Sequence, residues 1–160
     1  ALLLSRLHDG PVLVCDRNDQ RANLVSTVTG ATAVPLDKAA IEAAISGQPI
    51  RHAIDATGNI SVLKATLDVL SGGGSLALVG ISHGKIELDP NSLVEREISL
   101  IGCHAYQDEL HEIARLLPDL EAQLLQLVDR EIPLDEVPRA YARLIAGEAN
   151  GLKTIIRPVM

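Results

Sequence analysis

Four apolar runs in this chain close on residues suited to holding a small polar ligand: Cys15-Asp16-Arg17, Asp55-Ala56-Thr57-Gly58, Val79-Gly80-Ile81 and Gly102-Cys103-His104. Three of the four carry a glycine, whose missing side chain lets a ligand come close to the backbone. The first offers a carboxylate instead. A carboxylate just past a strand accepts hydrogen bonds from both hydroxyls of a ribose and repels a 2′-phosphate. The same acid in the same place also serves as a helix cap or a solvated loop residue. Other chemistries find no residues. His8, His52, His83, His104 and His111 show no H-E-x-x-H or comparable spacing, and Cys15 and Cys103 form neither a C-x-x-C pair nor a disulfide framework. No Ser/His/Asp or Cys/His set marks a nucleophile. Neither a catalytic group nor a metal site is expected here. Only His83 and His104 follow strand ends, where they could touch a ligand.

The elements that position these residues alternate. Residues 1–7 read as a buried helix, with Gly10 as its C-terminal cap. Residues 11–16 form a continuous apolar run closing on Asp16, as in a strand buried on both faces of a parallel sheet. A helix over 18–29 carries Ala22, Val25 and Val28 on one face and stops at Gly30. A weak strand (31–34) and a helix (36–46, ended by Gly47 and Pro49) lead to a strand over 50–55. The next helix has Leu63, Leu67 and Leu70 on one face. Residues 75–81 make the strongest strand, 85–88 alternate polar and apolar, and 99–103 read as a last buried strand. Helices follow over 108–117, 120–128 and 135–146. The last carries a stripe of Val137, Ala140, Tyr141, Leu144 and Ile145, with Pro138 in its first turn, where a missing N–H costs little. A strand over 153–159 closes the chain. Strands joined through helices by about ten residues or more imply an α/β fold, a doubly wound parallel sheet covered on both faces.

The chain has 160 residues, 47% hydrophobic and 22% charged, enough to bury the core of one globular domain and too apolar for disorder. Its apolar runs fall well short of the roughly 18 residues a membrane helix needs. A net charge of −7 with scattered basic residues argues against a nucleic-acid partner, though one local site can still bind a small anion. Two cysteines in strand-like surroundings read as buried reduced thiols, which fits a cytoplasmic protein. With Tyr106 and Tyr141 the only aromatic residues, the core must be aliphatic.

Four motifs occur in order: Val12-Leu13-Val14-Cys15-Asp16, Ile54-Asp55-Ala56-Thr57-Gly58-Asn59, Gly73-Gly74-Ser75-Leu76-Ala77-Leu78-Val79-Gly80 and Ile98-Ser99-Leu100-Ile101-Gly102. Together they resemble the coenzyme-binding half of the medium-chain dehydrogenase/reductase family, the group that includes zinc alcohol and polyol dehydrogenases. The ending, from Pro133-Leu134-Asp135-Glu136-Val137 to Gly151-Leu152-Lys153, is similar to that family's close, so the resemblance spans essentially the whole chain. It implies NAD as cofactor. Asp16 would hold the adenosine ribose, with Arg21 along the same edge and Arg17 stacked on adenine. Ala56 and Thr57 would line the wall under the adenine and the central part of the cofactor. Val79, Gly80 and Ile81 would meet the nicotinamide, Gly102 and Cys103 would reach its carboxamide, and Lys153 would approach the pyrophosphate.

The resemblance further implies an NAD-dependent oxidoreductase acting on an alcohol or polyol, and a homodimer, or a tetramer, through an edge strand from Ser99 to Cys103. The family's first strand and its G-x-G-x-x-G turn are not found. Residues 1–7 look like the helix that follows them. The expectation is an NAD(P)-binding domain over 1–160, a fragment of a larger two-domain enzyme whose zinc belongs to the missing catalytic domain. Because strand one is central in this fold, its removal would leave a gap of about 10 Å in the sheet. Three rival readings exist. One is a nucleotide-sensing or regulatory module without catalysis. Another is a zinc-free NADPH-dependent reductase of the same family, which the charge of Asp16 opposes. The third is a methyltransferase-like domain, whose final antiparallel hairpin is missing.

Overall fold

The computed structural model describes residues 1–106, 108–148 and 151–158. Helices and strands alternate: α1 Leu2–Leu7, β1 Leu13–Val14, α2 Asp19–Thr29, β2 Thr32–Ala33, α3 Lys38–Ile45, β3 His52–Asp55, α4 Ile60–Val69, β4 Ser75–Leu78, α5 Pro90–Arg96, β5 Ser99–Gly102, α6 Glu109–Gln126, β6 Val128–Pro133, α7 Val137–Ile145 and β7 Lys153–Arg157. Every strand pairing is parallel, as the long connections require. The strands form three sheets, β1-β2, β3-β4-β5 and β6-β7, rather than one continuous sheet. The chain divides into two compact units, Ala1–Ala33 with Asp108–Met160, and Val34–Gln107.

In the Val34–Gln107 unit the core is aliphatic, as the composition demands. The period of α4 puts Leu63 and Leu67 on one face, and these pack with Leu70 on Leu76, which is fully buried in the central strand β4. In-register Ala53 and Leu100 flank Leu76 on the same side of the sheet. Asn59 starts α4 by accepting the N–H of Ser61 at 2.9 Å, and the Arg96 guanidinium closes it by donating to the carbonyls of Leu67 and Leu70. Residues 85–88 form no strand, yet their alternation serves the core, since Ile86 and Leu88 pack against it. The expectation of strands buried on both faces is corrected. Ile54 and Ile101 flank Ala77 in register on the face opposite Leu76, and are 51% and 48% exposed. Strand β5 is an edge, hydrogen-bonded to β4 alone.

In the other unit, Asn18 caps α2 and Gly30, at φ 76°, ends it, while Ala22 is buried on its inner face. Gly10 does not cap α1. The helix turns out at His8 in extended conformation, two residues before Gly10. The two helices expected over 108–128 are one, α6, which runs through Pro118. The proline removes a single backbone bond, and buried Leu120 anchors the turn beyond it. Strand β6 was not foreseen. It pairs with β7 and buries Ile132, and the Arg157 guanidinium forks onto the Glu131 carboxylate across the pair. The stripe on α7 is not core: Tyr141, Leu144 and Ile145 are exposed. Residue 159 of the expected closing strand lies outside the described residues.

Candidate functional site

Asp16 lies two residues past β1, exposed, at the entry to α2. Its Oδ1 accepts the N–H of Asn18 at 2.8 Å, and Asn18 Oδ1 in turn accepts the N–H groups of Gln20 and Arg21. The carboxylate is therefore held in place by the turn that starts the helix. The capping role and the ligand role coexist, because a carboxylate has two oxygens and about four lone-pair sites. Arg17 is exposed beside it and Arg21 is half-buried on the first turn of α2. Lys153, in the same unit, is exposed at the start of β7. Cys15 is half-buried, and burial pushes its thiol pKa up. Cys103 is exposed, contrary to the expectation of a buried thiol, because β5 is an edge strand.

The remaining expected residues fall in the Val34–Gln107 unit, on the turns after β3, β4 and β5. Hydrogen bonds tie these turns together. The carbonyl of Asp55 accepts the N–H groups of both Val79 and Gly80 at 2.9 Å, and the carbonyl of Leu78 accepts the N–H of Cys103 at 3.0 Å. The Asp55 carboxylate, 3% exposed, accepts the N–H of Thr57 at 2.8 Å and its hydroxyl at 2.6 Å. Thr57 Oγ1 accepts the N–H of Asn59 at 3.1 Å, so the hydroxyl proton is already committed and this side chain has only its methyl and a lone pair to offer a ligand.

The three strand-end glycines do different things. A Cβ on Gly80 would lie 2.2 Å from the backbone N of Gly58, and one on Gly58, where φ is +64°, would lie 2.2 Å from the carbonyl oxygen of Ile81. These two glycines let the turns touch each other. A Cβ on Gly102 would meet nothing within 4 Å, which leaves space for a ligand. On the turns after β3, β4 and β5, Ala56, Thr57 and Cys103 are exposed, and Val79 and Ile81 are 50% and 81% exposed, an uncommon degree for aliphatic side chains grouped at strand ends. A hollow of about 150 Å³ elsewhere in this unit is lined by Leu36, Lys38, Ala65, Asp68 and Val69 and includes none of these residues.

Zinc fits less well. Among the described residues no cluster of three or more His, Cys, Asp or Glu side chains could hold a metal ion. The sequence reading placed Asp55 in a strand-end motif but missed its burial; it is the only charged side chain buried among the described residues. Its signal was a charged residue ending an apolar strand two positions before a threonine, an Asx-turn pattern.

Comparison with known proteins follows the same line. The family described as Zinc-binding dehydrogenase matches residues 1–121. L-galactonate-5-dehydrogenase from Escherichia coli K12 is 21% identical over 162 residues, a match covering 98% of this chain and 47% of that protein. Human quinone oxidoreductase is 29% identical over 108 residues, covering 64% of this chain and 32% of that protein. Among solved structures, 2R,3R-butanediol dehydrogenase from Bacillus subtilis superposes with a TM-score of 0.81 at 22% identity, over 98% of this chain and 46% of that one. Other structures of this fold were solved with NAD, NADH or NADP bound. The chain belongs to the zinc-binding dehydrogenase family, the medium-chain dehydrogenases, and corresponds to its NAD-binding domain. It spans less than half the length of the curated relatives it matches. No helix among the described residues is long and apolar enough to cross a membrane.

Proposed function

We propose that this chain is the cofactor-binding domain, over residues 1–160, of an NAD-dependent oxidoreductase that passes hydride between an alcohol or polyol and the nicotinamide. The observation that carries the reading is Asp16, exposed past β1 and oriented by the Asn18 turn, where it accepts ribose hydroxyls and its charge opposes a 2′-phosphate. The same reading takes β1-β2 and β3-β4-β5 as portions of a doubly wound dinucleotide fold. Arg17 lies along the adenine and Arg21 along the ribose edge. Ala56 and Thr57 line the wall under the cofactor, with Thr57 acting through its methyl group. Val79, Gly80 and Ile81 meet the nicotinamide by apolar and backbone contact, Gly102 and Cys103 approach the carboxamide, and Lys153 neutralises pyrophosphate charge. The cofactor supplies the hydride acceptor, and these residues hold and orient it. Zinc, in this reading, belongs to a catalytic domain outside these residues.

Titration of the intact protein that contains this chain with NAD and with NADP tests this. NAD should bind more tightly, and Asp16→Ser should narrow the preference by about 1–3 kcal/mol, the worth of hydrogen bonds to a charged group. Equal affinities before mutation would defeat the reading. A second reading, an NADPH-dependent reductase, is favoured by the likeness to quinone oxidoreductase and by NADP in one solved neighbour. Tighter NADP binding selects it. Binding of NAD with no dehydrogenase activity in the intact protein selects a nucleotide-sensing module. We also propose that two copies pair along β5, whose outer edge is unpaired and whose Ile101 is 48% exposed, giving a homodimer or a tetramer of such dimers. Sedimentation should show a dimer that Ile101→Lys, on the exposed face of β5, dissociates.

A further inference from the structure

Helix α7 is amphipathic, yet none of its nine residues is buried. Tyr141, Leu144 and Ile145 stand at i, i+3 and i+4, so they share one face, and Tyr141 and Ile145 are 64% and 80% exposed. Single exposed apolar side chains are ordinary, but three together on one helix face mark a surface that something covers. The adjoining face, with Ala140 and Arg143, lies against Arg130 of β6 and Thr154 of β7. Charges stand beside the patch rather than in it. Arg143 pairs with Glu148 at 4.0 Å, and exposed Arg139 lies on the opposite side of the helix. An apolar centre edged by charge is the anatomy of a protein interface. The helix also has little local support. Its nine residues carry no side-chain cap at the start and fall short of the roughly 12–15 that an isolated helix needs. The two-stranded β6-β7 pair beside it is a marginal platform by itself.

We propose that the Tyr141, Leu144, Ile145 face of α7 is a docking surface for a segment of the same polypeptide outside residues 1–160. The proposal rests on the reading of this chain as one domain of a larger enzyme. Matches cover 47% of L-galactonate-5-dehydrogenase and 46% of 2R,3R-butanediol dehydrogenase, so in such proteins more polypeptide lies outside this region than within it. Size favours a tethered occupant over a second copy. Three large side chains from each copy fall short of the roughly 800 Å² per partner that a stable dimer buries. A tethered segment needs less, because its effective concentration reaches about the millimolar range.

The test measures iodoacetamide labelling, peptide by peptide, in the intact protein. Ile145→Cys should label about tenfold or more slowly than Arg139→Cys, whose site faces away from the patch, and the two rates should converge in urea. The difference should not change on dilution. Nitration of Tyr141 by tetranitromethane in the unmodified protein is a second reading that needs no variant, and should wait for unfolding. Equal labelling at both sites, with prompt nitration of Tyr141, would overturn the docking surface. Protection that disappears on dilution would overturn it in favour of a second copy. An intact protein that binds NAD but leaves this face open keeps the cofactor reading and loses this one, and one that protects the face but binds no NAD does the reverse.

Discussion

Adding one methyl group to Gly58 or to Gly80 should separate two turns that now touch. At Gly58 an alanine must adopt a left-handed φ of +64° and place its Cβ 2.2 Å from the carbonyl oxygen of Ile81. The backbone strain costs about 1–2 kcal/mol, and forcing a rigid backbone neighbour aside costs about 1–3 kcal/mol more. Gly58→Ala should therefore lose about 2–5 kcal/mol. At Gly80 the Cβ would lie 2.2 Å from the Gly58 N and 2.8 Å from two further backbone carbons, with no left-handed φ to add strain, so about 1–3 kcal/mol is expected. Gly102→Ala is the control, since its Cβ meets nothing, and should stay within about 0.5 kcal/mol. Once one clash has opened the gap the other costs less, so the double variant should lose less than the sum. Urea unfolding gives the totals. Amide exchange at Val79 and Gly80, whose N–H groups both donate to Asp55, reports the turn itself. If Gly80→Ala unfolds like the Gly102→Ala control and Val79 exchange does not change, the turns do not pack as described.

Leu76→Ala, at the fully buried leucine of the Val34–Gln107 unit's core, should cost about 3–5 kcal/mol in the same unfolding assay. Cys103, exposed on the edge strand, should alkylate with iodoacetamide well before half-buried Cys15. The raised Cys15 pKa means the unfolded chain releases that proton first, so its contribution to stability should decline as pH rises past the usual thiol range. Glu131 behaves oppositely. The hydrogen bond and charge of Arg157 hold its carboxyl below the usual carboxylate range, so its contribution is present above that range and lost as pH falls through the lowered value. Amide exchange along β6 and β7 should accelerate in acid, and Arg157→Gln should remove the acid dependence of that exchange.

Much of the architecture was legible because its signals are local. Asn18 and Gly30 bracket α2 through hydrogen bonds spanning two to four residues, and the Leu63, Leu67, Leu70 spacing needs only a helix to put all three on one core. Where the structure departs from the sequence reading, distant partners decide. Val128–Pro133 carries Asp129, Arg130 and Glu131 and shows no apolar run, but β7 supplies both its ladder and the Arg157 guanidinium that takes up the charge of Glu131. Pro118 reads as a helix break on local grounds. The hydrogen bonds on either side and the burial of Leu120 outweigh the one bond it removes. The burial of 99–103 was overestimated for a related reason. An apolar composition does not say whether a strand has one neighbour or two.

The candidate site shows the same division between chemistry and placement. That a carboxylate follows the first strand and glycines follow the later ones could be read directly, and so could the absence of metal-ligand spacing. Which glycines are open to a ligand could not, because Gly58, Gly80 and Gly102 occur in similar apolar settings and differ only in what their missing side chains would strike. The sequence reading gave Gly80 the same role as Gly102, a close approach for cofactor. In the fold Gly80 already has the backbone of the neighbouring turn against it, while Gly102 faces open space. The backbone is therefore open at the β5 end, whereas at the turn carrying Gly80 the exposed groups are the side chains of Val79 and Ile81 on either side of it. Asp55 completes the argument. A buried carboxylate is costly unless its acceptor sites are filled, and here Thr57 fills them with its N–H and hydroxyl, while the N–H groups of Val79 and Gly80 take the main-chain carbonyl of the same residue.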